Sequence, residues 1–343
     1  MNQSAVEIRQ TLEDLMIRNH FSGSIYIKQG DEVLFEAAGG DADRSEERKN
    51  TIETRFRIAS GCKLFTAIAI CQLVDQGLIS FYSKLSDSVD VTFPYFDEGV
   101  TIHHLLTHTS GVADYFDEDE MDDFEALWKT TPMYCLRNLE DFLPLFEKGR
   151  MKFQPGDDFH YNNAGFILLG LIIEAKTGMK FRDYIVQNVF KPAGMDSSGY
   201  FALDQLPSNV AYGYVELDDG SWKTNQYSIP VVGGADGGAY VTAPDMGKMW
   251  EALLSGALCS EETLETMLTP HVEVREGVYY GYGLWIHKRE NQTYKYHVMG
   301  YDPGVSFHSA FYPNKRITLA VPSNRSDDAY DVMKAVEDTL IDD

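Results

Sequence analysis

A serine and a lysine three residues apart, Ser60 and Lys63, head a long apolar run from Leu64 to Leu78 (LFTAIAICQLVDQGL). On a helix, residues at this spacing share a face, so the Lys63 amine can reach the Ser60 hydroxyl across one turn. A serine hydroxyl is a poor nucleophile until a neighbouring base takes its proton. A lysine amine partly removed from water gives up its own proton more readily and can be that base. A helix start adds free backbone N–H groups, which favour negative charge on an attacking or departing oxygen. The same spacing also fits an N-cap serine followed by a surface lysine. A second polar cluster, Tyr161-Asn162-Asn163, follows the Pro155-Gly156 turn and precedes another apolar run. There a tyrosine hydroxyl can relay a proton to a leaving group, and the Asn163 amide can hold both a lysine and a substrate. A loop tyrosine packing its ring beside an N-capping asparagine also fits these residues.

Both clusters need elements to hold them. Val6, Ile8, Leu12, Leu15 and Met16 recur at helical spacing between Ser4 and Arg18, which predicts an amphipathic helix. Ser24 to Lys28 and Val33 to Ala37 read as strands joined by a Gln29-Gly30-Asp31 hairpin turn. The middle, roughly Thr101 to Met195, holds several helix-like stretches. The clearest is Asn163 to Thr177 (NAGFILLGLIIEAKT), with Gly178 placed for a left-handed cap. Gly233 to Gly238 (GGADGG) is a loop, and Thr242 is a helix N-cap with Asp245 three residues on. Val305, Phe307, Ser309 and Phe311 alternate with more polar neighbours, as do Ile317, Leu319 and Val321 after the turn at Pro313-Asn314-Lys315. A helix from Asp328 to Ile341 closes the chain. This order predicts an α/β (α+β) fold in a single catalytic domain, residues 1–343. An antiparallel sheet flanked by helices would come from 1–80 and 230–343, and a mainly helical lobe from about 81–229.

The chain has 343 residues, 44 % apolar and 24 % charged, the composition of a globular enzyme with a substantial core. Its 53 acidic residues against 29 basic ones give a net charge of −24. Such a surface repels phosphate backbones and anionic lipid, so neither nucleic acid nor a membrane is an expected partner, whereas a small-molecule substrate is. Four scattered cysteines, Cys62, Cys71, Cys135 and Cys259, form no CxxC pair and suit a reducing compartment. No basic stretch followed by an apolar run opens the chain, and no window approaches the ~18 apolar residues of a membrane span. A cytoplasmic location is the expectation. Oligomeric state is not legible.

Five segments stand in order along the chain: Phe56-Arg57-Ile58-Ala59-Ser60-Gly61-Cys62-Lys63-Leu64-Phe65-Thr66; Leu105-Leu106-Thr107-His108-Thr109-Ser110-Gly111; Phe153-Gln154-Pro155-Gly156 through Tyr161-Asn162-Asn163; Lys191-Pro192-Ala193-Gly194-Met195; and Gly233-Gly234-Ala235-Asp236-Gly237-Gly238. Together they resemble the penicillin-recognising serine hydrolases, the branch of class C β-lactamases, D-alanyl-D-alanine carboxypeptidases and related esterases, over about Phe21 to Arg325. The resemblance implies a β-lactamase/transpeptidase-like fold, with Ser60 as nucleophile, Lys63 as its paired base, Tyr161 and Asn163 as the Tyr-x-Asn element, and neither metal nor organic cofactor. It further implies an oxyanion held by two backbone N–H groups, that of Ser60 and that of a residue on an edge strand after a third motif. Such preorganised donors are worth about 3–4 kcal/mol each.

At the third motif the sequence departs from the family, which shows Lys-Thr-Gly, or His-x-Gly with a further glycine downstream. Here the stretch is Tyr296-His297-Val298-Met299-Gly300-Tyr301-Asp302-Pro303-Gly304. Aligned on Gly300 and Pro303-Gly304, Val298 occupies the basic position and His297 falls one residue early. One residue of offset turns a strand side chain to the opposite face. Either a bulge returns His297 to the cleft as a substrate-binding residue, or the site lacks its basic group. Gly300 and Tyr301 would line the substrate site, Tyr301 supplying the second oxyanion N–H. Recognition of a substrate carboxylate is thereby put in doubt, and carbonyl attack is not. His108 reads as a structural hydrogen-bonding residue and His103-His104 as a surface pair without metal partners. Asp236 either lines the cleft or sits on a solvated loop. The reading is a serine hydrolase working through an acyl-enzyme on Ser60, an esterase or peptidase for small acyl or D-amino-acid substrates. The alternatives are a β-lactamase or D-alanyl-D-alanine carboxypeptidase, and a non-catalytic ligand-binding relative.

Overall fold

The computed structural model describes residues 3–342. Its centre is an eight-stranded antiparallel sheet built from both ends of the chain. The strands are β1 (Gly23–Gln29), β2 (Glu32–Gly39), β3 (Val272–Arg275), β4 (Val278–Tyr280), β5 (Trp285–Arg289), β6 (Gln292–Asp302), β7 (Val305–Tyr312) and β8 (Ile317–Ser323), in the spatial order β2-β1-β8-β7-β6-β5-β4-β3. The hairpin turn between β1 and β2 falls at Gly30, whose φ of +55° a side chain would disfavour. The β3–β4–β5 extension had no counterpart in the sequence reading.

Each face of the sheet has its own core. On one face, α1 (Gln3–Arg18) buries Ile8, Leu12 and Leu15 of the predicted stripe beside α5 (Asp328–Val336), while Met16 is half-buried and Val6 is exposed. On the other face lie α2 (Lys63–Asp75), α3 (Asn163–Thr177) and α4 (Ala243–Leu254). Helices α2 and α3 are buried all round: Lys63 to Cys71 and Asn163 to Ile173 are unbroken runs of buried residues. A helix with no polar face belongs in the interior, and these two pack against each other there. Gly178 ends α3 at φ +68°, and Thr242 caps α4 by accepting from the Asp245 N–H, both as expected. The N-cap of α3 is Asn162, accepting from Gly165 N–H, so Asn163 is free for another task.

The middle of the chain is poorer in helix than its pattern suggested. Between Thr107 and Asn162 the backbone runs mostly as loops and 3-10 turns. Pro132, Pro144 and Pro155 each remove a backbone donor there, and Gly111 and Gly156 adopt positive φ. A short hairpin, Tyr214–Glu216 with Trp222–Thr224, lies further on. Among the described residues no helix is long and apolar enough to cross a membrane, and all four cysteines are free.

Candidate active site

Ser60 sits in a 3-10 turn, Ala59–Cys62, that leads into α2, one step ahead of the helix start expected for it. The turn is entered through Ala59 at φ +43°, a left-handed conformation costing a residue with a side chain roughly 1–2 kcal/mol. The surroundings hold it there. Phe56–Arg57 pairs with Tyr240–Val241, Ile58 N–H donates to Ala239 O at 3.0 Å, and Gly238 N–H donates to Ala59 O at 3.1 Å. Gly300 of β6 seals the other side. A Cβ on Gly300 would stand 2.1 Å from Ile58 O and 2.7 Å from Ser60 N, so only glycine lets the strand approach the Ser60 turn this closely.

The i, i+3 geometry holds. Lys63, 1 % exposed, donates from Nζ to Ser60 Oγ at 2.9 Å, Asn163 Oδ1 at 2.8 Å and Asp236 O at 2.8 Å. Three donors meet three acceptors, which satisfies a buried ammonium completely. Asn163 in turn donates from Nδ2 to Phe116 O at 3.2 Å and lies 3.5 Å from Glu118 Oε1. The Tyr161 ring covers the lysine, its centroid 4.8 Å from Nζ, and stacks on Trp285 at 6.3 Å. Burial, and after it the Glu118 charge, pushes the Tyr161 phenol well above its ordinary pKa, with a hydrogen bond to Ser60 working the other way. Tyr161 is therefore a neutral hydroxyl, able to pass a proton on but not a standing phenolate.

Residues outside the sequence motifs hold this arrangement. His108, buried and at φ +58°, accepts the Asn162 N–H on Nδ1 at 3.0 Å, and its carbonyl accepts the His160 N–H. Its ring lies 4.3 Å from that of Tyr161. Burial, followed by the Lys63 charge, depresses its pKa well below the usual value, so it is a neutral structural residue as expected. Asp114 accepts from Asn163 and Ala164 N–H at 2.8 and 2.9 Å, closing the start of α3; burial raises its pKa to about 7. Asp236 is buried, lines the cleft and accepts from the Tyr115 hydroxyl. Neither Asp114 nor Tyr115 carried a sequence signal, because each acts through tertiary contacts.

His297 is not in the cleft. The β6–β7 register runs without a break from Tyr296 opposite Phe311 to Asp302 opposite Val305, so no bulge returns the ring to the Ser60 face. Gly300 faces Ser60 and His297, three residues earlier, faces away. There it is buried, with Nε2 2.7 Å from His308 Nδ1, while His308 Nε2 lies 2.5 Å from the Tyr301 hydroxyl. Its assignment as a substrate-binding residue is corrected accordingly. Val298 is buried in the core on the Ser60 side, and the basic position of the third motif is empty of charge. The edge-strand expectation is also modified. β6 lies inside the sheet, but β5 pairs with it only as far as His297, leaving Val298 to Asp302 unpaired on that side. His103 and His104 are not a free surface pair: His103 Nδ1 lies 2.8 Å from the Tyr282 hydroxyl, and His104 caps its helix with Thr101. Among the described residues the one group with metal-ligand spacing is Asp117, Asp119 and His160, and the Lys152 ammonium already sits on it.

These residues open onto a cleft of about 740 Å³, lined by Ser60, Tyr161, Asn163, Trp285, Gly300 and Tyr301 among others. It has the volume of a small-ligand site. A family model described as Beta-lactamase matches residues 8–342. Penicillin-binding protein 4* of Bacillus subtilis (strain 168) is 31 % identical over 360 residues, covering 99 % of this chain and 77 % of that one. The crystal structure of a penicillin binding protein from Bacillus halodurans matches with a TM-score of 0.93 at 57 % identity, covering 96 % of this chain and 100 % of that one. The octameric penicillin-binding protein homologue from Pyrococcus abyssi matches with a TM-score of 0.84 at 27 % identity, covering 99 % and 78 %. The match runs through nearly the whole chain, in sequence and in fold: the chain belongs to the Beta-lactamase family.

Proposed function

We propose that the protein is a serine hydrolase that forms an acyl-enzyme on Ser60 and releases it to water, acting on small acyl or D-amino-acid esters or amides. The observation that carries the reading is the Lys63 amine, held at once by Ser60 Oγ, Asn163 Oδ1 and the Asp236 carbonyl. As an ammonium it donates to all three. As a free amine it keeps the two bonds to Asn163 and Asp236 and turns its lone pair to the Ser60 hydroxyl, so loss of one proton converts donor to base without moving a side chain. Ser60 Oγ then bonds to the substrate carbonyl carbon while its proton passes to Lys63. The Tyr161 hydroxyl, whose raised pKa keeps it protonated, hands a proton to the leaving group as the carbonyl–leaving-group bond breaks, and recovers it from Lys63. Water repeats the sequence on the acyl-enzyme, its oxygen bonding to the acyl carbon and its proton returning through the same groups to Ser60. The Ser60 and Tyr301 N–H groups hold the oxyanion in both halves.

A second reading, β-lactamase or D-alanyl-D-alanine carboxypeptidase chemistry, is favoured by the penicillin-binding proteins among the relatives. Val298, buried and apolar where that branch carries a cation for the substrate carboxylate, speaks for the first. The test is hydrolysis of p-nitrophenyl acetate and of a simple penicillin by the wild type and by Ser60→Ala. The expected result is ester turnover that falls at least about 10³-fold in the variant, with the penicillin neither bound covalently nor opened. Penicillin opened or attached at Ser60 would transfer the case to the second reading, and ester turnover surviving in Ser60→Ala would refute both.

A further inference from the structure

The charges around the cleft narrow the substrate class, an inference that rests on the hydrolase function just proposed. Two basic side chains line the cleft, and each already has a carboxylate. Arg57 Nε lies 3.7 Å from Asp302 Oδ2, with a further bond to Pro230 O, and Lys223 Nζ lies 2.7 Å from Glu125 Oε2. The Lys63 ammonium has its three acceptors. Among the described residues each cation of the wall thus already faces an acid of the protein, although the buried Arg57 Nε itself makes no hydrogen bond. Four carboxylates of the same wall, Glu118, Asp122, Asp236 and Asp327, have no salt-bridge partner among the described residues, and of these only Asp236 is buried, accepting from the Tyr115 hydroxyl. They are not equivalent. Glu118 is the one beside the chemistry: its Oε1 lies 3.5 Å from the Nδ2 of Asn163, the residue whose other amide atom holds Lys63, and its charge is felt at the Tyr161 hydroxyl. Burial and, after it, the Asp327 charge act in the same sense on the Tyr301 hydroxyl.

A cleft walled by low-dielectric surface focuses such a field, attracting cations and rejecting anions before contact. We propose that the cleft selects substrates bearing a positive charge, a free ammonium close to the scissile acyl group, and that Glu118 is the residue that receives it. The specificity has an attractive and a repulsive part: the ammonium pairs with a carboxylate otherwise without a cation, and a substrate carboxylate meets unpaired acids with Val298 in place of a base.

The test uses three glycine p-nitroanilides that differ in charge at one position: the free amine, its N-acetyl form and its N-succinyl form. Glycine is achiral, so stereochemical preference does not enter. Affinity is measured calorimetrically on Ser60→Ala, which reads recognition without turnover, and kcat/KM on the wild type. The expected order is ammonium, then acetyl, then succinyl, spanning about tenfold or more and compressing as salt is raised. Adding Glu118→Gln to Ser60→Ala should bring the ammonium and acetyl forms to within about twofold of each other. Equal affinities, tighter binding of the succinyl form, or no binding of any of the three overturns the proposal, and an ammonium preference untouched by Glu118→Gln overturns the role of Glu118. A wild type that cleaves p-nitrophenyl acetate through Ser60 but ignores charge keeps the hydrolase function and loses this inference. A charge ladder on Ser60→Ala, with no ester cleavage by the wild type, does the reverse.

Discussion

Gly300 marks how tightly the reacting residues are set. The backbone of β6 lies against Ile58 O and Ser60 N with no space for a methyl group. Gly300→Ala therefore has to push the strand away from the Ser60 turn, moving the Tyr301 N–H from its proposed place at the oxyanion. The expected outcome is a fall in kcat of about 10²–10³-fold, the cost of one lost oxyanion donor, with about 1–3 kcal/mol of destabilisation. Esterase kinetics and a denaturant titration of the variant check both. At this scale the sequence was a good guide where residue type and spacing coincide. Ser60 and Lys63 meet because three residues make most of a helical turn, and Tyr161 and Asn163 flank the capping residue of a helix. It failed where the decisive partner is a backbone atom, as with the Asp236 carbonyl on Lys63, since a carbonyl carries no residue type. It left His297 open because strand alternation decides its face, and only the unbroken β6–β7 register fixes the alternation.

At the scale of elements, α3 shows how a helix start is made to serve a site. Two acceptors close it: the Asn162 side chain takes the Gly165 N–H, and Asp114 takes those of Asn163 and Ala164. Asp114 thus both satisfies donors that the helix cannot and fixes the residue that holds Lys63. Asp114→Ala should cost about 1–3 kcal/mol in thermal or denaturant unfolding and lower kcat more than it raises KM, since Asn163 is displaced while the cleft remains. The Ser60 turn has a similar support in the Phe56–Arg57 and Tyr240–Val241 pair, which absorbs the left-handed Ala59. Periodicity foretold α1, β1, α3, β7 and β8, which bury a regular stripe or run, and also β2, of which only Phe35 is buried. The loops between Thr107 and Asn162 broke the rule because their apolar residues are fixed by long-range packing around Trp128, Phe142 and Phe146. The β3–β4–β5 extension was not foreseen because its alternation is short and partly exposed.

For the molecule as a whole, the buried titratable groups set the response to acid. Seven of the nine histidines have depressed pKa values, burial being the leading cause in each. His103 falls to about 4, and His287 and His308 to about 3. As pH drops below about 6.5 the unfolded chain takes up protons at these sites and the folded one does not, so stability is lost through the window from about 6.5 down to 3. Four buried carboxylates work the other way. Asp114, raised to about 7, and Asp302, raised to about 6, together with Asp236 and Asp328, bind protons in the folded state first and gain stability as pH falls. Seven sites outweigh four, so Tm should fall by several degrees between pH 7 and pH 5; a Tm that rises over that interval would show the carboxylates dominating. The overall architecture was legible because one sheet drawn from both chain ends accounts for the order of patterns. What composition could not convey is the sidedness of the cleft, where acids without salt bridges share the lining with Ser60.

The proposed covalent acyl-enzyme on Ser60 is trapped by rapid-quench intact-mass spectrometry with p-nitrophenyl acetate followed by peptide mapping. The expected result is one acetyl group per chain, carried on the peptide holding Ser60, formed with the first burst of nitrophenol and absent from both Ser60→Ala and Lys63→Ala. Nitrophenol release at the same rate by Ser60→Ala, or an acetyl group that maps to another residue while turnover continues, would contradict it.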